Sequence, residues 1–540
     1  MTKAWRISSA WALCAVLGTI TTAAQGQQQQ QTAPPTPRTQ TPLVERYVVG
    51  RALPPEVPGS PIMDMTLEQA VAIALEKNLG LQSAKLNPIL QDLALAQTRA
   101  TFNPRFTGTY SFSDNRSVSE NTTEGVFQTV RQNQGFNGGI SKSLNFHGAS
   151  MSANWNNGRN TSNTVTSSFN PTLNSSVNVN FSMPLLRNFK IDGTRNSLRT
   201  APINRLVADV QLQQTISQTS TQVRNAYWAL RQAIEQIEIA KMGLEMSRRT
   251  LEDTKLRVDI GTAAPIDIVT PDLSVANAEQ AQLQAEINWR NAELTLKNLL
   301  IGGIDDELNR ATINPIDRPV ELSNPPQIDV QAAMQAALAN RTDVTISRKN
   351  LESQELTMEV TKNAVLPQLN LSTGYNLAGT DGVRTQTIGG VPVITHDGSW
   401  FGALSQISGL DSPGFNMSFN FQYNLGMRAE KANLASSQIR LDQARLQLKN
   451  QELTIQNEIT RLALNVDNTY KQFLASRKAR EVAEKNLEAE LTRLDVGLSN
   501  NFTVATVQER LTAQRLAEIN AIIRYINAVA DFERAQKFPG

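Results

Sequence analysis

Between Phe415 and Leu425 apolar and polar residues alternate. Phe415, Met417, Phe419, Phe421, Tyr423 and Leu425 share one parity, and Asn416, Ser418, Asn420, Gln422 and Asn424 share the other. Successive strand side chains point to opposite sides of a sheet, so the segment predicts a strand with one apolar face and one face of uncharged hydrogen-bonding groups. Two surroundings suit such a strand: a soluble sheet covering a core, or a membrane barrel with lipid outside and water inside. The alternation recurs. Phe106, Tyr110 and Phe112 stand opposite Arg105, Thr107, Thr109 and Ser111; Val177, Val179, Phe181 and Met183 opposite Asn178, Asn180 and Ser182; Leu369, Leu371 and Tyr375 opposite Asn370 and Ser372.

Other stretches change period. Ile216, Val223, Leu230, Ile237, Leu244, Leu251 and Val258 are each seven residues apart, a heptad that demands a coiled-coil partner. Later the chain carries two such seams, Ile439, Leu446, Leu453 and Leu441, Leu448, Ile455, Leu462. A helix with two seams has neighbours on two sides, like a stave in a cylinder wall; an antiparallel bundle with one closed core is the alternative. Helices over about residues 188–260 and 427–496 would each extend roughly 100 Å at 1.5 Å per residue. Four shorter helices are about half as long, so two stacked end to end equal one long stave. Charged and amide groups run through all of them, which keeps them in water.

The plan is written twice. "AAMQAALANRTDV" from Ala332 matches "QAVAIALEKNLGL" from Gln69, and Pro104 falls on Pro367, all 263 residues apart. "RVDIG" ending at Gly261 matches "RLDVG" ending at Gly497 at an offset of 236, so the first half holds a surplus of 27 residues, placed in the Asn- and Ser-rich stretch from His147. Thr66 and Gln69 have capping-box spacing and open a helix expected to run to about Ala100. The expected division is a first repeat over 65–301 (short helix, strands, long helix, short helix), a connector over 302–327 and a second repeat over 328–540. Four clear strands per chain, six if the surplus forms a hairpin, cannot close a membrane barrel, whose smallest forms have about eight. Several chains must share one barrel, and three copies of four strands give twelve. On that reading Phe415, Met417, Phe419, Phe421, Tyr423 and Leu425 face lipid while Asn416 to Asn424 face water.

Composition sharpens the picture. Lys3 and Arg6 precede an apolar run over 10–20 and small residues end at Ala24, so residues 1–24 read as a signal peptide, the run being shorter than the roughly 20 residues that span a bilayer. Gln- and Pro-rich residues 25–64 read as a solvated tether. Cys14, the single cysteine, lies in the leader, so the mature chain is expected to form neither disulfides nor thiolate metal sites. Without Lys3 and Arg6 the chain has 49 basic and 49 acidic residues, which gives no general attraction to nucleic acid. No later segment reads as a membrane helix, so an exported chain of this kind enters a membrane only as strands.

The paired "LEQAVAIALEKN" and "VQAAMQAALANR" helix starts, Pro104 and Pro367 before strands, "FSMPLLRNF" after a strand, and the "DIG" and "DVGLS" turns together resemble the TolC-like outer-membrane efflux protein family. The resemblance covers nearly the whole mature chain. It implies a mainly α fold with membrane β: a long α-helical coiled-coil tunnel in the periplasm plus an outer-membrane β-barrel shared among protomers, internally duplicated. It also implies a homotrimer in outer-membrane lipid, engaged by a periplasmic adaptor protein and an inner-membrane pump, passive and without cofactors. By position, the adaptor-docking turns are Ile260, Gly261 and Thr262, and Val496, Gly497, Leu498 and Ser499. At the aperture, Thr503 and Thr506 stand where some members carry two Asp, and Asp267 matches a residue of the closed-state network, whose usual Tyr and Arg partners are Leu494 and Ser499 here.

Chemistry finds little support. His147 and His396 lie in strand and loop regions without cysteine or clustered carboxylates and read as surface histidines, and no phosphate loop, nucleophile elbow or zinc motif occurs. An exit duct of a tripartite efflux or secretion system is therefore expected, the alternative being a trimeric envelope spacer or surface adhesin without transport.

Overall fold

In the computed structural model, residues 61–121, 125–163, 168–317, 328–388 and 391–538 are described. The expected signal peptide and nearly all of the expected tether lie outside them. Strand β1 (Ile62–Met65) leads through Thr66 into α1 (Leu67–Lys77) and α2 (Leu79–Ala100). The capping box forms: Gln69 N–H donates to Thr66 Oγ1 at 3.2 Å, and Thr66 N–H donates to Gln69 Oε1 at 3.0 Å. The helix expected to continue to Ala100 breaks once, because Asn78 adopts an extended backbone and accepts from Leu81 N–H, recapping the chain as α2.

Strands β2 (Arg105–Asn121), β3 (Gly125–Ser143), β4 (Ser150–Ser162) and β5 (Thr172–Pro184) follow as consecutive antiparallel neighbours. The chain returns as α3 (Gly193–Asp259), turns into α4 (Val269–Leu300), and forms β6 (Thr312–Pro315), which pairs in parallel with β1. This small sheet joins the end of the segment read as tether to the segment read as connector. The second half repeats the plan with α5 (Val330–Asn340), α6 (Thr342–Ala364), β7 (Gln368–Ile388), β8 (Val391–Asp397), α7 (Trp400–Ser408), β9 (Pro413–Gln422), α8 (Arg428–Asp495) and α9 (Asn501–Ala535). β9 pairs with the first part of β7 and β8 with its far part. α7 lies across β7 with Ala403 against Gly379, where any Cβ would overlap the Ala403 carbonyl.

Four staves stand side by side at every level. On the strand side the row is α2, α3, α6, α8; on the turn side it is α4, α3, α9, α8. Each half thus provides one continuous and one broken stave. The heptad Val223, Leu230, Ile237, Leu244 and Leu251 is buried, as the seven-residue spacing predicts. The main core sits where the stave breaks: Met65, Ala70, Ala74, Tyr227, Trp289 and Ile313 share one cluster, and Tyr227 Oη donates to the Met65 carbonyl at 2.9 Å. The second half builds a separate core from Ala337, Val344, Ile455, Ile459, Val466 and Phe532. Beside it Arg341, 1% exposed, binds Asp343 at 2.9 Å, Glu458 at 2.8 Å and the Ala535 carbonyl at 3.1 Å.

Candidate channel wall and docking turns

The sheet is wider than the four-strand expectation. Among the described residues, β2, β3, β4, β5, β7 and β9 form one unbroken sheet of six, so the first half adds the pair β3 and β4; β3 precedes the stretch from His147 in which the surplus was expected, and that stretch holds β4 and the start of β5. Register carries one residue row across all six: Phe106, Ile140, Ala153, Val179, Tyr375 and Phe415. The neighbouring row is Arg105, Ser141, Ser152, Asn180, Gly374 and Asn416. Because neighbours in register point to the same side, each parity keeps to one face across the sheet. Near the helix-side ends one face is mostly apolar and the other mostly Asn, Ser and Thr.

The rows also run obliquely. Arg105 begins β2, yet its row meets β9 at Asn416, six residues before Gln422, the strand's end. A stagger of six residues over five strand steps, with about 3.4 Å per residue and about 4.8 Å between strands, tilts the strands by about 40°. Membrane barrels tilt by about 35–45°. Counted from the helix-side ends, the apolar residues of this face cluster towards those ends in each strand: Phe106, Tyr110 and Phe112; Ile140 and Phe136; Met151, Ala153 and Trp155; Met183, Phe181, Val179 and Val177; Leu369, Leu371, Tyr375 and Leu377; Phe421, Phe419, Met417 and Phe415. Above them the same outward parity turns polar, with Asp114, Gln134, Asn157 and Ser175. The result is an apolar band that runs across the sheet near its helix-side ends.

Phe415, Met417, Phe419 and Phe421 lie in this band and are exposed. Tyr423 and Leu425 are exposed too but lie outside the strand: β9 ends at Gln422, and both residues belong to the bend that leads through Met427, at φ 43°, into α8. Alternation continued past the strand's end because the bend reuses the same polar and apolar residue types.

At the opposite end of the long staves the two sequence-predicted turns have the same geometry. Ile260 ends α3 and Gly261 follows at φ +79°; Val496 ends α8 and Gly497 follows at φ +76°. Thr262 N–H donates to the Arg257 carbonyl at 2.8 Å and Leu498 N–H to the Arg493 carbonyl at 2.8 Å, the bond that closes a helix through a left-handed residue. Glycine meets that conformation without steric cost, and no atom lies within 4 Å of where a Cβ would be in either turn. Ile260, Ile266, Val496, Leu498 and Phe502 are exposed around these glycines. Ser499 Oγ donates to Glu490, which also binds Arg493 at 3.2 Å. The two turns are tied together where Asn501 Nδ2 donates to Thr254 Oγ1 at 2.9 Å and Gln508 Nε2 to Thr250 Oγ1 at 3.1 Å.

The aperture candidates have local roles. Asp267 lies in a single 3-10 turn, Pro265–Ile268, and accepts from Ala264 N–H at 3.0 Å. Thr503 donates through both N–H and Oγ1 to Asn500 Oδ1, each at 2.9 Å, in the first turn of α9. Thr506 Oγ1 donates to the Phe502 carbonyl at 2.9 Å. Further along α8 and α9 an ion-pair network joins Arg480 to Glu484 and Glu518, and Arg515 to Glu484. Burial raises the Glu484 carboxyl, but hydrogen bonds from Arg515 and Arg480 outweigh it and hold the group below its ordinary range. The histidines are separate: His147 stacks on Phe189, and His396 Nε2 meets Asp381 at 2.6 Å. No group of three or more metal-ligating side chains occurs among the described residues.

A feature visible only in part from sequence is the pair of free edges. The Leu441, Ile455, Leu462 seam of α8 is buried within the chain, whereas Ile439, Leu446 and Leu453, on the opposite side of the helix, are 59%, 64% and 60% exposed. At the other end of the row, Leu86, Leu90 and Leu93 of α2 and Leu283, Ile287 and Leu294 of α4 are exposed at helical spacing. The sheet has corresponding edges, since β2 continues from α2 and β9 leads to α8.

Comparison with known proteins agrees with this architecture. Outer membrane protein TolC of Escherichia coli (strain K12) is 23% identical over 164 residues, 30% of this chain and 32% of that protein, so the match spans about a third of the relative's length. The Campylobacter jejuni CmeC outer membrane channel superposes with a TM-score of 0.62 at 16% identity, over 87% of this chain and 85% of that one. A membrane protein from Pseudomonas aeruginosa gives 0.63 at 16% identity, over 89% and 98%. These likenesses are in fold. A family model described as outer membrane efflux protein matches residues 70–302 and 333–535, the two copies of the duplicated plan, and the chain belongs to that outer membrane efflux protein family.

Proposed function

We propose that three copies of this chain close side by side into a passive exit duct, with the sheets in the outer membrane and the helices in the periplasm. An adaptor protein docks at the Gly261 and Gly497 turns and connects the duct to an inner-membrane pump. The observation that carries the reading is the second seam of α8. Ile439, Leu446 and Leu453 are largely exposed in the protomer at one end of the helix row, and further exposed apolar rows lie on α2 and α4 at the other end. Two different edges that fit each other make a head-to-tail interface, which forms a ring when the rotation between copies closes. The number three is what the TolC-like resemblance implies.

Burying a leucine that is about 60% exposed in the protomer contributes about 1–2 kcal/mol. Leu446→Ser with Leu453→Ser thus removes about 2–4 kcal/mol per interface and about 6–12 kcal/mol per three-membered ring. In detergent the double variant should keep its helix content by circular dichroism while dissociating to monomer at concentrations where the unaltered chain is trimeric. Unchanged assembly would remove the basis of the proposal. Reconstituted protein should also admit small solutes in liposome swelling, whereas a spacer or adhesin would not.

A further inference from the structure

We infer that the added hairpin, β3 with β4, is part of the barrel wall, so that three protomers build an eighteen-stranded barrel as wide as the helical tunnel beneath it. The inference rests on the trimeric duct proposed above and goes beyond it in specifying the bore. It stands on four observations. β3 and β4 separate β2 from β5, which leave and enter the helices α2 and α3; in the second half the corresponding β7 and β9 pair directly. The hairpin is therefore inserted within the row and does not hang from its edge. Its ladders are unbroken, from Arg131↔Ser162 to Ser143↔Ser150. Its outward residues Phe136, Ile140, Met151, Ala153 and Trp155 lie at the height of the apolar band of the other four strands, and its inward residues Asn137, Ser141, Ser152, Asn154 and Asn156 extend their polar face. A hairpin folded into the lumen would have no use for an apolar band at lipid height.

The fourth observation is circumference. At a tilt of about 40° and a spacing of about 4.8 Å, each strand occupies about 6.3 Å of the perimeter, so eighteen strands give about 113 Å and twelve give about 75 Å. Twelve staves packed about 9–10 Å apart, four from each protomer, give about 108–120 Å. Eighteen strands match that ring, while twelve would narrow it at the membrane. Lumen area scales as the square of perimeter, so the wider barrel opens more than twice the cross-section. The duct then lacks a membrane constriction, and it admits hydrated solutes and chains too bulky for a twelve-stranded exit.

Cysteine pairs on the luminal row test the strand order directly. Thr109, Asn137, Asn156 and Ser176 lie in one register row, and only Cys14 would need removal if the leader persists. Thr109→Cys with Asn137→Cys, and Asn137→Cys with Asn156→Cys, should cross-link through a short thiol reagent in trimers in native membranes. Thr109→Cys with Ser176→Cys should not, because three strand spacings, about 14 Å, separate them. Efficient cross-linking of Thr109→Cys to Ser176→Cys would mean that β2 and β5 are neighbours and would overturn the inference. As a second measurement, a chain lacking residues 125–162 should still alternate correctly from β2 into β5. In planar bilayers its exclusion size for polyethylene glycols added on the strand side should fall below that of the intact channel. An equal exclusion size would also overturn the inference. A trimer that conducts but fails these tests leaves the duct standing and removes only the eighteen strands; a chain that neither trimerises nor conducts overturns both.

Discussion

In the proposed duct the tilt of the sheet converts sequence position along β9 into membrane depth, so the cost of a buried charge can be forecast residue by residue. At about 40° each residue climbs about 2.6 Å along the membrane normal. Measured from Gln422, Phe421, Phe419, Met417 and Phe415 then sit at about 3, 8, 13 and 18 Å, and an apolar band some 20–25 Å tall has its midplane between Phe419 and Met417. Arginine on the lipid face costs about 2–4 kcal/mol at the midplane and about 0–1 near the interfaces. Met417→Arg and Phe419→Arg should each destabilise the inserted protomer by about 2–4 kcal/mol, a roughly 30- to 900-fold shift in the folded-to-unfolded ratio. Phe421→Arg and Phe415→Arg should cost about 1 kcal/mol or less. Asn416→Arg, Ser418→Arg and Asn420→Arg place the same charge in the proposed water-filled lumen and should be nearly neutral. The assay is the yield of folded trimer in vesicles across a urea series. Equal losses at Met417 and Ser418, or a Phe421 variant as damaged as the Phe419 variant, would refute either the facing or the depth.

Three further outcomes follow from the other end and the middle of the molecule. Gly497→Trp should retain trimer and barrel while abolishing export. The left-handed backbone at φ +76° costs an L-residue about 1–2 kcal/mol, and the indole occupies the open space a docking partner would use. Gly497→Asn, which tolerates that conformation better, should retain export, and measuring adaptor capture by both variants decides the matter. Thr503→Asp adds a carboxylate in the first turn of α9, where the helix dipole favours it by about 0.3–1 kcal/mol, and should confer block by trivalent cations that the unmodified channel lacks in planar-bilayer conductance. Strong block before substitution would place the carboxylate ring elsewhere. Arg341→Met should lower stability by about 3–5 kcal/mol, because Asp343 and Glu458 lose the buried guanidinium between them, and Arg341→Lys should restore only part of it in chemical denaturation. Equal stability of the Met variant would contradict the role assigned to this ion-pair node.

What depends on period could be read from the chain alone. Alternation at Phe415 to Phe421 and the heptad from Val223 to Leu251 each encode a face, and a face follows from local geometry whatever the neighbours are. The duplication was equally legible, since matched words at a constant offset need no coordinates, and so were Gly261 and Gly497, because few residues other than glycine close a helix through a left-handed turn. What depends on pairing required the folded chain. Whether the surplus residues form wall strands is a matter of register: β3, with Gly135, Gly138 and Gly139 among its Gln and Asn residues, alternates too weakly alone, and only the row from Phe106 through Ile140 and Ala153 to Val179 assigns its faces. The end of β9 at Gln422 is decided by where β7 stops offering partners, which moves Tyr423 and Leu425 out of the strand. Which seam of α8 is satisfied within the chain and which awaits another copy is likewise unreadable from spacing, because Leu446 and Leu448 obey the same heptad and differ only in what the fold places beside them.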